Sequence, residues 1–288
     1  MSRVLVTGAT GFVGVPLCAA LRERGHEVVE VARSRGVDLL ELGAAERVIA
    51  EHAPTHLVHL AWYAEPGRYW TAVENLSWVE ASLALLRAFA AHGGRRAVLA
   101  GTCAEYDWSY GFCSEAVSPL APSTLYGVSK DALRRVAEAF ASQAGLSLAW
   151  GRIFFLYGPR EDPRRLVASV ARALLAGEEA PTSEGSQVRD FLHVDDVAGA
   201  FAALLDAEAV TGAVNIGSGV PVSVRAVVEE VAAAAGRPEL VRFGALAPRA
   251  GEPPLVLADA RRLRDEVGWT PTLTLAEGIA RTVDWWRG

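Results

Sequence analysis

The sequence Val4-Leu5-Val6-Thr7-Gly8-Ala9-Thr10-Gly11-Phe12-Val13-Gly14 is the strongest indication of the fold of this chain. An apolar run typical of a buried strand ends at Thr7, and glycines follow at positions 8, 11 and 14. The first two glycines permit a tight turn that a pyrophosphate can approach closely, and the third lets the next helix pack on the sheet. Glycine clusters also form ordinary turns. Here a helix-like run over 15–24 and a second strand over 27–31 follow, and this context favours a dinucleotide-binding unit.

The beginning of the helix after this turn is the expected phosphate site. Unpaired N–H groups and the positive end of the helix dipole both attract anions at that point. The residues expected to hold the dinucleotide at the turn are Gly8, Thr10, Gly11, Phe12, Val13 and Gly14.

The tip of the second strand indicates which dinucleotide is bound. It reads Val31-Ala32-Arg33-Ser34-Arg35 and carries no carboxylate. An acidic residue at such a tip holds the ribose 2′-hydroxyl of NAD, whereas a basic residue accommodates the 2′-phosphate of NADP. Arg33 would pair with that phosphate through charge-assisted hydrogen bonds, and Ser34 or Arg35 would add to them. We therefore expect NADP(H), and two solvated arginines on a surface loop are the alternative.

Length and composition limit the class of protein. At 288 residues, the chain suffices for one composite domain or two closely packed lobes. Hydrophobic residues make up 51%, but no run of eighteen apolar residues and no basic-then-apolar leader occurs, so we expect a soluble, cytoplasmic protein without a membrane partner. The net charge of −6 argues against a nucleic-acid partner. The cysteines form neither a metal-type pair nor a disulfide framework, and no metal site is expected from Cys18, Cys103 and Cys113.

Strand-like and helix-like runs alternate through the first half of the chain. The expected strands cover 4–7, 27–31, 55–60, 96–100 and 148–154, and the expected helices cover 15–24, 44–52, 72–92, 124–144, 166–176, 197–207, 223–235 and 258–267. This order predicts an α/β fold, a Rossmann-type doubly wound parallel sheet with a smaller mixed α/β substrate-binding lobe. Residues 1–158 are expected to form the NADP-binding domain, with 188–208 returning to it, and 159–187 and 209–288 the lobe.

A tyrosine and a lysine in the predicted helix over 124–144 carry catalytic chemistry. Tyr126 and Lys130 are one helical turn apart and share a face. A phenol titrates near 10, and a nearby ammonium favours the phenolate, so the lysine is expected to make the tyrosine a general acid or base. This spacing occurs by chance in many helices, but together with the glycine turn it predicts hydride-transfer chemistry.

At this point the chain resembles the extended branch of the short-chain dehydrogenase/reductase superfamily, which contains nucleotide-sugar epimerases, dehydratases and reductases. The resemblance covers essentially all of the sequence. Besides the glycine turn and the Tyr126/Lys130 pair, it rests on His59-Leu60-Ala61, Gly101-Thr102 ahead of Tyr106, Arg152-Ile153-Phe154-Phe155-Leu156-Tyr157-Gly158-Pro159, Arg189-Asp190-Phe191-Leu192-His193-Val194, Asn215-Ile216-Gly217, Arg249-Ala250-Gly251-Glu252 and Gly268-Trp269-Thr270-Pro271.

The resemblance implies roles for residues around the reacting group and the cofactor. Thr102 would complete a catalytic triad by hydrogen-bonding the reacting oxygen while Tyr126 exchanges the proton. Lys130 would also hold the nicotinamide ribose hydroxyls. The remaining cofactor contacts implied by the resemblance are Asp38 and Leu39 at the adenine, with Leu60 and Ala61.

The same resemblance implies a nucleotide-diphosphate sugar as substrate. Arg189 and Arg249 match positions that contact the sugar-nucleotide phosphates in relatives, and guanidinium groups suit that task. A structural salt bridge is the alternative for each arginine. Cys103 and Glu105 are further candidate substrate contacts, with packing and a salt bridge as their respective alternatives. Phe155 departs from the pattern, because many relatives carry Asn there.

The residues after Thr102 narrow the reaction. Related 4,6-dehydratases carry Thr-Asp-Glu, but this chain has Thr102-Cys103-Ala104 and so lacks the acid and base that elimination of water needs. In related 3,5-epimerase/reductases a cysteine stands where this chain has Ala104. Epimerisation at C4 and reduction of a ketone remain as candidate reactions. Arg33 indicates NADPH, which a reductase exchanges in each turnover, and it therefore favours the reductase.

The sequence thus predicts NADPH-dependent reduction of the C4 ketone of an NDP-4-keto-6-deoxyhexose. A 4-epimerase, an NADPH-dependent reductase of a non-nucleotide ketone and a NADP-sensing regulator are the alternatives. A homodimer is expected as well, because the helices over 72–92 and 124–144 form a four-helix interface in relatives.

Overall fold

The computed structural model describes residues 2–247 and 251–288. Its strands are β1 Arg3–Thr7, β2 Glu27–Val31, β3 His56–His59, β4 Arg96–Thr102, β5 Phe112–Cys113, β6 Ser147–Ile153, β7 Phe155–Tyr157, β8 Ala180–Pro181, β9 Val188–His193, β10 Gly212–Ile216, β11 Pro221–Ser223, β12 Val241–Arg242 and β13 Leu255–Ala258. Its helices are α1 Gly14–Glu23, α2 Ala44–His52, α3 Glu74–Ala91, α4 Leu125–Ala144, α5 Leu166–Leu175, α6 Val194–Asp206, α7 Val224–Ala235, α8 Arg261–Asp265 and α9 Leu275–Arg287. Within these two ranges, no helix has both the length and the apolar composition that a membrane span requires.

A parallel sheet forms the centre of the larger part of the molecule. Its strands lie in the order β10-β6-β4-β3-β1-β2, and each neighbouring pair is parallel. The chain first moves from β1 outward to β2 and then returns to place β3 on the other side of β1. In open sheets of this kind, ligands bind at the carboxyl ends of the strands where the order reverses. The topology therefore directs attention to the ends of β1 and β3.

Helices cover both faces of this sheet. Val4 and Val6 of β1 face a core that includes side chains of α1 and α6, whereas Leu5 faces the core beneath α2, α3 and α4. This alternation is the period of two that a strand imposes on its side chains. All three β1 residues are completely buried, as expected for a parallel strand with helices on both sides.

A second, mixed sheet supports the smaller part of the molecule. It has the order β11-β9-β13-β5, with β7 also paired to β9, and only the β11–β9 pair is antiparallel. The apolar faces of α5, α7 and α9 pack together beside it. Asp190 of β9 is completely buried and accepts hydrogen bonds from the backbone of Ser218, Gly219 and Ala258, which ties three segments of this sheet together.

The predicted fold class is confirmed, and the strands and helices of the first half begin and end within two residues of the expected positions. Two segments differ from the expected domain boundaries. β10, which was expected in the lobe, is an edge strand of the main sheet, and β9, which was expected to return to the main sheet, pairs in the second one. Apolar alternation marks a strand but does not identify the sheet it joins. The assignment of the two parts to cofactor and substrate stays a prediction.

Candidate active site

The glycine turn lies at the reversal of strand order and forms one wall of a cleft. A Cβ atom on Gly8 would lie 2.9 Å from the Ala61 nitrogen, and one on Gly14 would overlap the Gly8 carbonyl oxygen. Backbone therefore packs directly on backbone here. The adjoining cleft has a volume of about 360 Å³ and is lined by Gly8, Thr10, Gly11, Val31, Ala32, Arg33, Ser34, Val37, Leu39, Ala61, Trp62 and Trp78. A cleft beside a glycine turn and a helix N-terminus fits the phosphates and adenosine of a dinucleotide.

The tip of β2 presents a cation and no carboxylate to this cleft. Val31 and Arg33 line it, whereas the side chain of Glu30 turns to the opposite face, where it pairs with Arg22 and Arg35 at 2.6 Å each. Arg33 is exposed at the rim, and the Ser34 and Thr10 hydroxyl oxygens lie 3.0 Å apart. The Glu30 carboxylate is therefore paired with two arginines and does not line the cleft.

The other expected cofactor residues lie around the cleft without lining it. Phe12 and Val13 immediately precede the first turn of α1, so their N–H groups are at the positive end of that helix. The Asp38 carboxylate accepts a hydrogen bond from the Leu40 N–H at 3.0 Å and so closes its own turn. Leu60 packs against the core on the α1 side of the sheet.

A buried hydrogen-bonded chain fixes the end of β3. The Ser82 hydroxyl donates to the Trp78 carbonyl (2.6 Å), so it accepts from His59 Nε2 (2.8 Å). His59 Nδ1 then accepts from the Thr7 hydroxyl (2.6 Å), which itself accepts the Ala61 N–H (3.2 Å). Burial lowers the pKa of His59 to about 3, so the ring is neutral, as this chain of bonds requires. His59 thus holds Ala61 against Gly8.

Tyr126 lies in the first turn of α4, among other aromatic rings. The Thr124 hydroxyl caps this helix by accepting the Gly127 N–H. The ring of Tyr126 meets Tyr69 edge-on at 4.9 Å and Trp70 at 5.8 Å between centroids. Burial, and then the neighbouring Tyr69, raise the pKa of Tyr126, while a hydrogen bond with Thr102 acts in the opposite direction. Thr102 and Tyr126 are therefore neighbours, as the sequence predicted.

Lys130 lies one turn further along α4 and is almost completely buried. Its Nζ atom donates to the Ala100 carbonyl at 2.9 Å and lies 3.6 Å from the centre of the Trp62 ring. Burial lowers the pKa of Lys130 to about 7. Burial raises the pKa of Tyr126 in this structure, and the expectation that the Lys130 ammonium lowers it stays a prediction.

The sequence did not assign Trp62 to the site. Its indole lines the cofactor cleft, stacks on Trp78 at 6.2 Å and covers the Lys130 amine. The Trp62 Nε1 atom donates to Asn75 Oδ1 at 2.8 Å, which fixes the ring. A tryptophan right after His59-Leu60-Ala61 was the available signal, but half-buried tryptophans are also ordinary packing residues.

Glu105 is a structural counter-ion, and its prediction as a substrate contact is wrong. Its side chain is completely buried. One carboxylate oxygen accepts from the Thr102 N–H (2.9 Å) and Trp150 Nε1 (2.8 Å), and the other from Arg152 Nε (2.7 Å). Arg152 continues the network by donating to the Tyr106 hydroxyl at 2.9 Å. The carboxylate is thus fully used in holding Thr102 and the end of β6.

Cys103 also packs instead of facing a substrate. It is 5% exposed and belongs to an apolar cluster between the two sheets, with Tyr106, Cys113, Phe154, Val256 and Ala258. Burial raises the pKa of its thiol well above the usual value, so the thiol stays neutral. Its predicted substrate contact is replaced by the packing alternative.

Arg189 is held inside the smaller part of the molecule. It is 3% exposed, donates to the Val188 carbonyl at 2.8 Å and pairs with Glu252 at 3.1 Å. Its guanidinium carbon lies 5.4 Å from the centre of the Phe155 ring. Phe155, the departure from the family pattern, therefore packs beside this arginine. Arg249, the other expected phosphate ligand, lies outside the described residues.

Comparison with known proteins shows the family of this chain. Residues 4–217 match the model of the NAD dependent epimerase/dehydratase family. A UDP-glucose 4-epimerase of Corynebacterium glutamicum is 30% identical over 94% of this chain and 92% of that protein.

Two solved structures extend the comparison over nearly the whole chain. The UDP-glucose 4-epimerase of Thermus thermophilus, in complex with NAD, is 31% identical with a TM-score of 0.84 and 99% coverage of both chains. The dTDP-glucose 4,6-dehydratase of Streptomyces venezuelae, with NAD bound, is 26% identical with a TM-score of 0.86, covering 99% of this chain and 97% of that one.

We predict that Glu105→Ala costs about 3–5 kcal/mol of unfolding free energy, because Arg152 would be left buried and unpaired. Urea unfolding followed by circular dichroism measures this cost. Asp284→Ala, which removes an exposed ion pair with Arg287, is the control and should cost less than about 1 kcal/mol. A Glu105→Ala protein of unchanged stability with weakened substrate binding would restore the original prediction.

The lowered pKa of Lys130 predicts a pH-dependent stability. Between pH 7 and about 10 the unfolded chain holds a proton on Lys130 that the folded protein has released, so stability rises with pH. The contribution of this one group approaches about 1.4 kcal/mol per pH unit and vanishes below pH 7. We expect the stability of cofactor-free wild type, relative to Lys130→Met, to increase between pH 7 and 9 in urea unfolding. The same pH dependence of stability in wild type and Lys130→Met would show that Lys130 stays charged in the folded protein.

Proposed function

The chain belongs to the NAD dependent epimerase/dehydratase family, and we propose that it reduces the C4 ketone of an NDP-4-keto-6-deoxyhexose with NADPH. The observation that carries the proposal is the cofactor cleft, where Arg33 lines the rim and Glu30 is paired on the opposite face. A cation without a competing carboxylate suits a 2′-phosphate. The NAD named for the related structures belongs to those proteins.

The residues around Tyr126 suit the reductive direction. Bound NADPH would supply the hydride to C4. Because the pKa of Tyr126 is raised, its phenol is protonated at neutral pH and ready to donate a proton to the ketone oxygen as it becomes an alkoxide. Thr102 would hydrogen-bond the same oxygen and stabilise its developing charge. Lys130 would hold the nicotinamide ribose, close to its present position beneath Trp62.

The contacts of Cys103 favour reduction over elimination of water. A dehydratase needs an acid and a base beside the tyrosine. In this chain those places hold a buried, neutral thiol and Ala104, whose methyl group carries no titratable proton. The chain therefore keeps the hydride-transfer groups and lacks the two additional ones.

We further propose that the smaller part binds the nucleotide diphosphate. Arg189 is desolvated, which strengthens its attraction for a phosphate, and the half-exposed Glu252 is an anion that a phosphate would replace. Arg249 is proposed as its partner. We place the reaction in the cytoplasm, where its buried free thiols remain reduced.

Epimerisation at C4 is the second candidate, because relatives that are 30% and 31% identical are named UDP-glucose 4-epimerases. The two reactions differ in their use of the cofactor. An epimerase returns the hydride to the sugar and consumes no cofactor, whereas a reductase oxidises one NADPH for each ketone reduced.

We propose a homodimer through α3 and α4, whose outer faces expose apolar side chains. Leu76 of α3 and Val136 of α4 are 54% and 50% exposed. Exposed apolar stripes on neighbouring helices are typical of subunit interfaces. The double variant Leu76→Arg/Val136→Arg should sediment as a monomer at micromolar concentration, whereas Val220→Arg, at an exposed site elsewhere, should not change the mass. A monomeric wild type would exclude this interface.

The proposed activity predicts that the absorbance of reduced nicotinamide falls when NADPH is mixed with the protein and enzymatically generated dTDP-4-keto-6-deoxyglucose. Tyr126→Phe should lower the rate by about 10²- to 10⁴-fold, since the proton donor is lost while NADPH binding is kept. Conversion of UDP-glucose to UDP-galactose without net NADPH oxidation would instead establish the epimerase.

Arg33→Ala should raise the KM for NADPH by about 10- to 100-fold, because charge-assisted hydrogen bonds to the 2′-phosphate are removed. The KM for NADH should not change, since NADH has no phosphate at that position. Arg35→Ala is the matched control, because Arg35 is already paired with Glu30. Equal effects of Arg33→Ala on both cofactors would disprove the role of Arg33.

A further inference from the structure

Three aromatic side chains form a wall beside the catalytic tyrosine. We call Tyr69, Trp70 and Trp108 the aromatic corner. Trp70 lies 4.4 Å from Tyr69 and 6.3 Å from Trp108 between ring centroids, and the two indoles are nearly perpendicular. Both Tyr69 and Trp70 meet the ring of Tyr126 edge-on. Two of the three rings therefore contact Tyr126, the residue proposed to exchange the proton.

Hydrogen bonds fix the corner to the catalytic elements. The Tyr126 N–H donates to the Trp70 carbonyl at 3.1 Å, which joins the β3–α3 loop to the first turn of α4. The Trp108 Nε1 atom donates to the Cys103 carbonyl at 2.7 Å, next to Thr102. The corner is thus a built part of the site that spans from Tyr126 to Thr102. Since the indole N–H of Trp108 is already used, this ring presents only apolar surface.

All three residues are half-buried, so each keeps some accessible surface. The reacting oxygen must come within hydrogen-bond reach of the Tyr126 hydroxyl, about 2.6–3.2 Å. Substituents on the carbons next to the reacting carbon are therefore brought close to the corner. The ring faces of Trp70 and Trp108 favour an apolar substituent there over a hydroxyl, which loses its hydrogen bonds to water against an aromatic face.

We propose that the aromatic corner is a specificity-determining element that selects a methyl group at C5 of the sugar, the 6-deoxy form, over a hydroxymethyl group. This inference rests on the proposed function, since it assumes a hexose that reacts at C4. It gives Trp70 and Trp108 a role in selecting the sugar. The glycine turn, the catalytic triad and the proposed phosphate-binding arginines do not provide that selection. A hydrophobic pocket discriminates against one added hydroxyl by about 10- to 100-fold.

Binding of matched sugars to the NADPH-loaded enzyme tests the inference, because an alcohol does not react with the reduced cofactor. The probes are dTDP-6-deoxyglucose against dTDP-glucose, and dTDP-6-deoxygalactose against dTDP-galactose, measured by isothermal titration calorimetry. Within each pair only one hydroxyl differs. Wild type should bind the 6-deoxy sugar about 10- to 100-fold more tightly in at least one pair.

Variants of the corner separate this effect from general damage. Trp70→Ala should reduce the preference to within about threefold, because water reaches the C6 hydroxyl, whereas Trp70→Phe keeps an apolar wall and should keep the preference. The matched control is Trp285→Ala, which removes an indole that is 43% exposed on α9. Equal affinities within both pairs in wild type, or a preference that survives Trp70→Ala, would overturn the inference.

The test also distinguishes this inference from the proposed function. A binding preference without NADPH oxidation on dTDP-4-keto-6-deoxyglucose would support the corner and refute the reductase. Rapid oxidation without a binding preference would support the reductase and refute the corner. If none of the four sugars binds and an aromatic ketone is reduced, both are wrong and the corner binds a non-nucleotide substrate.

Discussion

Direct packing of backbone against backbone at Gly8 is the constraint on which the rest of the site depends. A Cβ atom there would lie 2.9 Å from the Ala61 nitrogen, so no side chain fits between the turn after β1 and the segment after β3. The buried His59 holds Ala61 in that position through Thr7 and Ser82. The same approach places Trp62 on one side of the cleft and, through it, the Lys130 amine. Cofactor cleft and catalytic helix are thereby set relative to each other.

The buried carboxylate of Glu105 fixes the position of Thr102 in a similar way. Glu105 accepts the Thr102 N–H and is neutralised by Arg152 on the neighbouring strand β6. Arg152 in turn reaches Tyr106, which donates to Asn215 on the edge strand β10. Removing one member of such a network leaves an unpaired group without water, which costs far more than an exposed ion pair. The position of Thr102 is therefore set by polar groups from the turn after β4 and from strands β6 and β10.

The sequence predicted those features that depend on neighbours along the chain. The glycine turn, the bounds of β2 and α2, and the Tyr126/Lys130 pair on α4 all follow from local spacing. The partners of Glu105 and Cys103 did not, because Arg152 and Val256 are far away in sequence and no periodicity links them. The raised pKa of Tyr126 was missed for a related reason, since its cause is burial among Tyr69 and Trp70 from another loop. The side of β2 on which Glu30 lies follows from strand alternation. Its ion pairs with Arg22 and Arg35 could be identified only from the structure.

Transfer of a labelled hydride tests most directly whether this site reduces a sugar ketone with NADPH. NADPH that carries deuterium at the transferred position of C4 of the nicotinamide is incubated with dTDP-4-keto-6-deoxyglucose, and the sugar product is examined by NMR and mass spectrometry. One deuterium should appear at C4 of the sugar for each NADPH oxidised, with a single configuration at that carbon. A sugar product without deuterium, or deuterium that appears only with labelled NADH, would contradict it.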